Sequence, residues 1–138
     1  MKTKSNIIVG ATFNMATSNR LLHRGPTSKI LALSVFSKIN RRVFDGRLKN
    51  VCIIWTKNVN IHSTGRTVYD HRTKQCYILL SVRLLNNTQY GCLIEKIIHE
   101  MCHAAVYVID KRYRKNHGKP WIKWLQKVYN LNPRARFV

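Results

Sequence analysis

Apolar residues recur at helical spacing in three segments of the chain. Residues 28–44 carry an apolar stripe that ends at the turn signal Asp45-Gly46. Residues 89–109 are apolar on most sides, which is typical of a helix buried within a core. A third helix is predicted to begin at Pro120, because proline suits the first turn of a helix.

Between the first two helices the apolar pattern changes to that of β-strands. Val51–Trp55 is a continuous apolar run, suited to a central strand. Ser63–Tyr69 and Gln75–Ser81 flank the polar residues 70–74, a connection of hairpin length. The order of elements predicts an α+β fold, in which a small three-stranded, mostly antiparallel sheet packs against helices.

The length of the chain, 138 residues, fits one domain. Residues 1–26 lack periodicity and mix small polar with basic residues, so we expect a flexible basic N-terminal arm. The domain is predicted to span residues 27–130, with a short C-terminal tail at 131–138.

The charge balance is strongly positive, with 25 Lys and Arg against 5 Asp and Glu, a formal net charge of +20. Such a surplus favours a polyanionic partner, nucleic acid first and an anionic membrane second. The chain contains no apolar run approaching the roughly 18 residues that a membrane-spanning helix needs. The four cysteines form no C-x2-C pair and lie in apolar runs, which favours buried thiols in a reducing compartment.

His99-Glu100-Met101-Cys102-His103 reads H-E-x-x-H in the middle of the strongest predicted helix. Four residues turn a helix by about 400°, so His99 and His103 project from one face and can take adjacent corners of a zinc tetrahedron. Glu100 is rotated away from that pair, but it can reach a water on the metal and act as a general base. Burial of an ionised Glu and two His on an otherwise apolar helix would cost free energy of folding unless these side chains bind a partner such as a metal ion. The pattern therefore predicts a catalytic site that holds one zinc ion per chain.

A catalytic zinc usually has three protein ligands and one open position. The spacing alone does not decide which residue is the third ligand, since four other histidines and the acidic residues are all candidates. His117 is favoured, because the sequence Asn116-His117-Gly118 can form a sharp turn that brings this histidine back to the helix. Glu95, one turn before His99, could support a ligand imidazole or pair with Lys96 or Arg83. The histidines considered for the third position are His23, His62, His71 and His117.

Residues 97–105, which read I-I-H-E-M-C-H-A-A, followed by His117-Gly118 and Trp121, resemble the SprT-like metalloprotease domain of the Spartan and germ-cell nuclear acidic protein type. The resemblance covers about residues 28–128, and it extends upstream to segments 43–48, 55–57, 63–67 and 75–81 in the expected order. The chain departs from the family's H-G-P pattern by placing Lys119 between Gly118 and Pro120.

The resemblance implies a zincin-like active-site helix, with zinc held by His99, His103 and His117 and with Glu100 as the base. It also implies proteolysis of proteins crosslinked to DNA, as part of DNA repair in the nucleus. Peptide substrates of such enzymes commonly pair with an exposed strand edge, for which residues 63–69 are the candidate.

A basic loop lies next to His117 and places four positive charges around one aromatic residue. The net charge of the chain favours phosphate contact by this loop over a merely solvated surface, and Tyr113 could stack on an unpaired base. Trp55, Trp121 and Trp124 are predicted as core residues. The predicted DNA-contacting residues are Lys111, Arg112, Tyr113, Arg114 and Lys115.

Two functions therefore compete. The first is a zinc metalloendopeptidase that acts on DNA-associated proteins. The second is a basic DNA-binding module with a structural zinc and no peptidase activity. Glu100 discriminates between them, because a structural site needs no base beside its ligands and is more often closed by a fourth protein ligand. Cys102 could be considered as that ligand, but its place on the helix directs it elsewhere.

Overall fold

The computed structural model describes residues 7–9, 28–57, 64–86, 90–114 and 116–131. The described elements follow the order β1, α1, β2, β3, β4, a short 3-10 helix, α2 and α3. Their bounds are β1 Ile7–Val9, α1 Ser28–Val43, β2 Val51–Thr56, β3 Gly65–Asp70, β4 Gln75–Ser81, the 3-10 helix Val82–Asn86, α2 Tyr90–Val108 and α3 Lys119–Leu131. The fold is therefore α+β, as predicted, and each predicted helix and strand is present.

The strands form one mixed sheet in the order β1-β2-β4-β3. β3 and β4 make the predicted antiparallel hairpin, with Asp70 opposite Gln75. β2 pairs with β4 in parallel, with Val51 opposite Cys76, which places this continuous apolar strand inside the sheet. β3 consequently lies at one edge of the sheet.

The prediction of three strands was wrong by one. Ile7–Val9 adds a fourth strand, which pairs antiparallel with β2. These residues fall within the predicted flexible arm, because an apolar run of three residues is too short to show a period. The other residues of the predicted arm, and residues 132–138 of the predicted tail, lie outside the described part of the chain.

α2 is the central helix of the fold and packs against α1, α3, β3 and β4. Its sequence explains that position, since most of its side chains from Leu93 to Tyr107 are buried. α1 ends at a turn in which Asp45 and Gly46 both have positive φ angles, of 54° and 72°. Within the described residues, no helix is long and apolar enough to cross a membrane.

Candidate active site

Three histidine side chains converge where α2 meets the loop before α3. His99 and His103 project from one face of α2, as their spacing predicts, and His117 approaches them from the loop. The Nε2 atom of His117 lies 3.0 Å from Nε2 of His99 and 3.2 Å from Nε2 of His103. The structure thus brings the favoured third histidine to the predicted pair.

The geometry of this cluster fits a metal ion. Ligand atoms bound at 2.0–2.1 Å in a tetrahedron are separated by roughly 3.3 Å, close to the Nε2 separations of 3.0 and 3.2 Å in this cluster. The ligand atoms of the three residues all lie within 4.8 Å of one another. His103 is buried and His117 is exposed, so the cluster lies at the protein surface with one side open.

The other predicted candidates lie elsewhere. His71 is exposed and contacts the rings of Tyr69 and Tyr113 edge-on. His23 and His62 fall outside the described residues. Glu95 is exposed, and its charge contributes to raising the pKa of Tyr129, behind the larger effect of burial.

Glu100 is almost fully buried, with 2 % of its surface exposed, and two neighbours hold its carboxylate. The Thr67 hydroxyl donates to Oε2 at 2.6 Å, and the same oxygen of Thr67 lies 3.1 Å from the Glu100 carbonyl oxygen. The Lys96 ammonium, one turn earlier on α2, lies 3.7 Å from Oε1. A buried carboxylate is costly unless it is paired and hydrogen-bonded, and these two side chains provide both.

The local backbone explains these contacts. Alternation along β3 points Gly65, Thr67 and Tyr69 to the same face of the strand, toward α2. The absence of a side chain at Gly65 leaves space for Lys96, because a Cβ there would lie 2.8 Å from the Lys96 Cε atom. The edge strand therefore positions the carboxylate on the central helix.

Trp121 forms a wall of the histidine cluster. Its ring centroid lies 4.5 Å from that of His117, 5.0 Å from His99 and 5.6 Å from His103. Its indole Nε1 donates to the His99 carbonyl oxygen at 3.2 Å. The prediction of Trp121 as a core residue was incomplete, since it is only partly buried and shapes the site. Trp55 and Trp124 are buried, as predicted.

The roles of Thr67, Lys96 and Trp121 in this site were not predicted from the sequence. Thr67 lies 33 residues from Glu100 along the chain, so no local pattern connects the two. Trp121 did carry a signal, since it belongs to the segment that resembles the SprT-like domain. Lys96 lies four residues before Glu100, a helical ion-pair spacing that could have identified it.

The four predicted DNA-contacting residues that the structure describes are all exposed in the loop between α2 and α3. They are Lys111, Arg112, Tyr113 and Arg114; the fifth, Lys115, lies outside the described residues. Lys111 has a positive φ angle of 55°.

None of the four cysteines, all of which the structure describes, forms a disulfide. Cys76 and Cys102 are buried as predicted, and burial raises the pKa of each to about 12. Cys92 is exposed, contrary to the prediction of a buried thiol, because it lies on the solvent side of the first turn of α2. Cys102 is not part of the histidine cluster that could hold a metal among the described residues, which agrees with the sequence argument against it as a ligand.

Comparison with known proteins places this site in a family. The SprT-like family model matches residues 32–136. The rat "DNA-dependent metalloprotease SPRTN" is 32 % identical over 107 residues, which cover 77 % of this chain and 21 % of the rat protein. The Drosophila melanogaster "Germ cell nuclear acidic protein" is 31 % identical over 105 residues, covering 75 % of this chain and 10 % of that protein.

The Caenorhabditis elegans "Germ cell nuclear acidic-1 protein" is 43 % identical over a shorter stretch of 63 residues, which covers 46 % of this chain and 10 % of that protein. The chain thus spans about a fifth or less of the length of these curated relatives. The match to the family model covers most of the chain and includes all three clustered histidines and Glu100. The chain belongs to the SprT-like family.

Proposed function

We propose that this chain is a zinc metalloendopeptidase domain that acts on DNA-associated proteins, including proteins crosslinked to DNA. One observation carries the proposal: the Nε2 atoms of three histidines converge beside Glu100, which directly follows His99 in the sequence. The buried Glu100 carboxylate accepts a hydrogen bond from Thr67 and forms an ion pair with Lys96. In the proposal His99, His103 and His117 bind one zinc ion and Glu100 is the general base. The names of the relatives, metalloprotease and DNA-dependent, agree with it.

A zinc ion held by these histidines would supply a Lewis acid for the scissile carbonyl and lower the pKa of the attacking water. Glu100 accepts the proton of that water and passes it to the leaving amine. Glu100 exchanges the proton through its carboxylate, whose Oε2 also accepts the Thr67 hydroxyl. The Lys96 ammonium stabilises the charge on the same carboxylate.

The position of β3 suggests how a substrate is held. An edge strand offers unpaired backbone N–H and C=O groups, with which an extended peptide can pair. β3 also carries Thr67, so a peptide along this edge passes beside Glu100. We therefore assign substrate binding to the β3 edge.

The DNA part of the proposal is supported by the formal net charge of +20 and by the exposed residues Lys111, Arg112, Tyr113 and Arg114. Binding of protease and substrate to one DNA molecule would raise their effective concentration, so that a weakly specific site is sufficient. Nuclear residence, on chromatin, follows from this proposal and from the resemblance to germ cell nuclear acidic protein.

The test compares the wild type with Glu100→Gln and His103→Ala, each with its zinc content measured. Each is incubated with a DNA-bound basic protein, with and without single-stranded DNA. We expect DNA-dependent cleavage by the wild type alone, one zinc per chain in wild type and Glu100→Gln, and loss of zinc in His103→Ala. Cleavage by Glu100→Gln would contradict the role of Glu100. Zinc and DNA binding without cleavage by any protein would favour the binding module.

A further inference from the structure

α3 carries a stripe of exposed apolar side chains next to the candidate active site. Ile122 and Tyr129 are each 42 % exposed, and Leu125 lies between them, partly buried against the core. Residues three and four apart on a helix are neighbours on its surface, so these three side chains form one continuous stripe. We call Ile122, Leu125 and Tyr129 the apolar flank.

The apolar flank begins at the histidine cluster. Trp121, which packs against all three histidine rings, precedes Leu125 by one turn of α3. At the other end of the flank, burial and, behind it, the nearby carboxylate of Glu95 raise the pKa of Tyr129. Glu95 lies one turn before His99 on α2. The flank therefore extends from the cluster along one side of α2.

The surface of α2 beside the apolar flank is open toward the start of the helix. Cys92 and Glu95 are exposed, and they precede His99 by seven and four residues, which places all three on one side of α2. β3 borders this surface on the other side, where Thr67 bonds Glu100. The surface from Cys92 to His99 is thus a trough between β3 and the apolar flank.

The trough is closed beyond the histidine cluster. Val106, three residues after His103 on the same side of α2, is buried. The Tyr113 ring stacks on that of Tyr69 with centroids 5.2 Å apart, so the loop after α2 meets the end of β3. A peptide paired with the β3 edge is therefore expected to contact the protein mainly in the open trough, on one side of the scissile bond.

We propose that the apolar flank is a substrate subsite, which binds an apolar side chain on that side of the scissile bond. Its occupant is an extended segment of the substrate protein, because Trp121 joins the flank to the histidine cluster and the trough joins it to the β3 edge. Contiguous exposed apolar side chains mark binding surfaces in soluble proteins. The inference rests on the proposed peptidase function and adds a substrate preference to it.

Pairing with β3 also determines which substrate residues reach the flank. Side chains of a strand alternate between its two faces, so every second residue of the paired peptide points toward α2, as Gly65, Thr67 and Tyr69 do on β3. We therefore expect an apolar preference at one position of the substrate and none at the positions directly before and after it.

The experiment measures kcat and KM of the zinc-loaded full chain, with single-stranded DNA present, on quenched fluorescent peptides. The peptides carry Leu, Ser or Lys at one position at a time on either side of the scissile bond. The test variant combines Ile122→Ser with Tyr129→Ser, two exposed positions at which the fold should tolerate Ser. Leu131→Ser is the matched control, because Leu131 is 54 % exposed on α3 but lies two residues from Tyr129, on another side of the helix.

We expect the wild type to favour Leu over Ser at one position roughly tenfold or more in kcat/KM, chiefly through KM. The double variant should reduce this ratio to about one. Leu131→Ser should retain the ratio, and so should Tyr129→Phe, which keeps the apolar ring.

Equal kcat/KM for the Leu and Ser peptides in the wild type would overturn the proposal, as would an unchanged ratio in the double variant. A preference for Lys that Glu95→Gln removes would also overturn it, because the trough would then bind a basic side chain. Sedimentation velocity tests the remaining occupant: self-association of the wild type that the double variant abolishes would assign the flank to a second copy of the chain.

Binding measurements separate this inference from the proposed function, because they need no cleavage. Fluorescence anisotropy compares the labelled Leu and Ser peptides on zinc-loaded Glu100→Gln, with and without the two flank substitutions. Tighter, flank-dependent binding of the Leu peptide without cleavage by the wild type would keep the subsite and remove the peptidase. Cleavage without a flank-dependent preference would keep the peptidase and overturn the subsite.

Discussion

Glu100 depends on two side chains that the H-E-x-x-H pattern does not contain. Its carboxylate is buried, and it would be strongly destabilised without a donor and a cation nearby. Thr67 supplies the donor at 2.6 Å and Lys96 supplies the cation at 3.7 Å. The direct Thr67 bond also restricts the orientation of the carboxylate, so Thr67 is a positioning residue in the proposed reaction.

Replacement of Thr67 tests that role. Thr67→Val keeps the shape of the side chain and removes the hydroxyl donor, so we expect kcat to fall about ten- to a hundredfold, as for loss of a hydrogen bond to a charged group. KM and zinc content should change little, and Thr67→Ser should restore kcat. Steady-state kinetics with zinc quantification measures all three, and an unchanged kcat in Thr67→Val would contradict the role.

At the scale of the element, α3 uses two tryptophans for two purposes. Trp124 is buried, packs against Phe44 with ring centroids 5.1 Å apart, and bonds Asp110. Trp121, three residues earlier and on the side of α3 toward α2, packs against the histidine cluster. One tryptophan thus anchors the helix to the core, and the other supports the site.

The two roles predict different consequences. Trp124→Leu should lower the free energy of unfolding by about 2–4 kcal/mol, because a large buried side chain is truncated. Trp121→Leu should cost less stability but weaken zinc binding, because the ligand rings lose their support. Urea unfolding of the metal-free protein and zinc competition with a chromophoric chelator separate these effects. If Trp124→Leu and Trp121→Leu changed the free energy of unfolding equally and weakened zinc binding equally, the two tryptophans would not have separate roles.

Periodicity predicted the helices and the main strands because each buries one repeated set of side chains. It did not predict β1, whose three residues are too few to show a repeat, nor the parallel pairing of β2 with β4. Spacing placed His99 and His103 on one face, but it left His117 among several candidates. Thr67 lies 33 residues from Glu100 along the chain, and Trp121 lies 22 residues from His99. Contacts between residues so far apart in sequence depend on the tertiary fold.

At the scale of the whole molecule, three of the five acidic residues accept hydrogen bonds from other parts of the chain. Glu100 is held by Thr67, Asp110 accepts from Trp124, and Asp70 accepts the backbone N–H of Arg72 at 2.9 Å. That last bond lowers the pKa of Asp70. The five acids are too few to neutralise the 25 Lys and Arg residues, and the resulting formal net charge of +20 agrees with a polyanionic partner.

Burial of the thiols gives a second property of the whole fold. Cys76 and Cys102 have pKa values raised to about 12, against an ordinary value of 9.0, so they remain protonated in the folded protein. We expect a maleimide at pH 8 to label Cys92 rapidly and these two only after unfolding. Mass spectrometry of the labelled peptides tests this, and rapid labelling of Cys102 in the folded chain would contradict it.

The same shift has a consequence for stability. Unfolding exposes both thiols, which then ionise as the pH rises through the ordinary value. Their contribution to stability is therefore complete below the ordinary value of 9.0 and is lost as the pH rises toward about 12. Urea unfolding midpoints measured at pH 7 and pH 10 should differ in that direction, and the difference should shrink in the Cys76→Ala and Cys102→Ala double variant.

In the proposed site, His99, His103 and His117 hold one zinc ion and leave a position open for water. X-ray absorption spectroscopy at the zinc edge, on protein with measured zinc content, tests it most directly. We expect three imidazole nitrogens and one further light-atom ligand, at about 2.0–2.1 Å, with one zinc per chain. A sulfur ligand at about 2.3 Å, four protein ligands, or zinc retained in His103→Ala would contradict it.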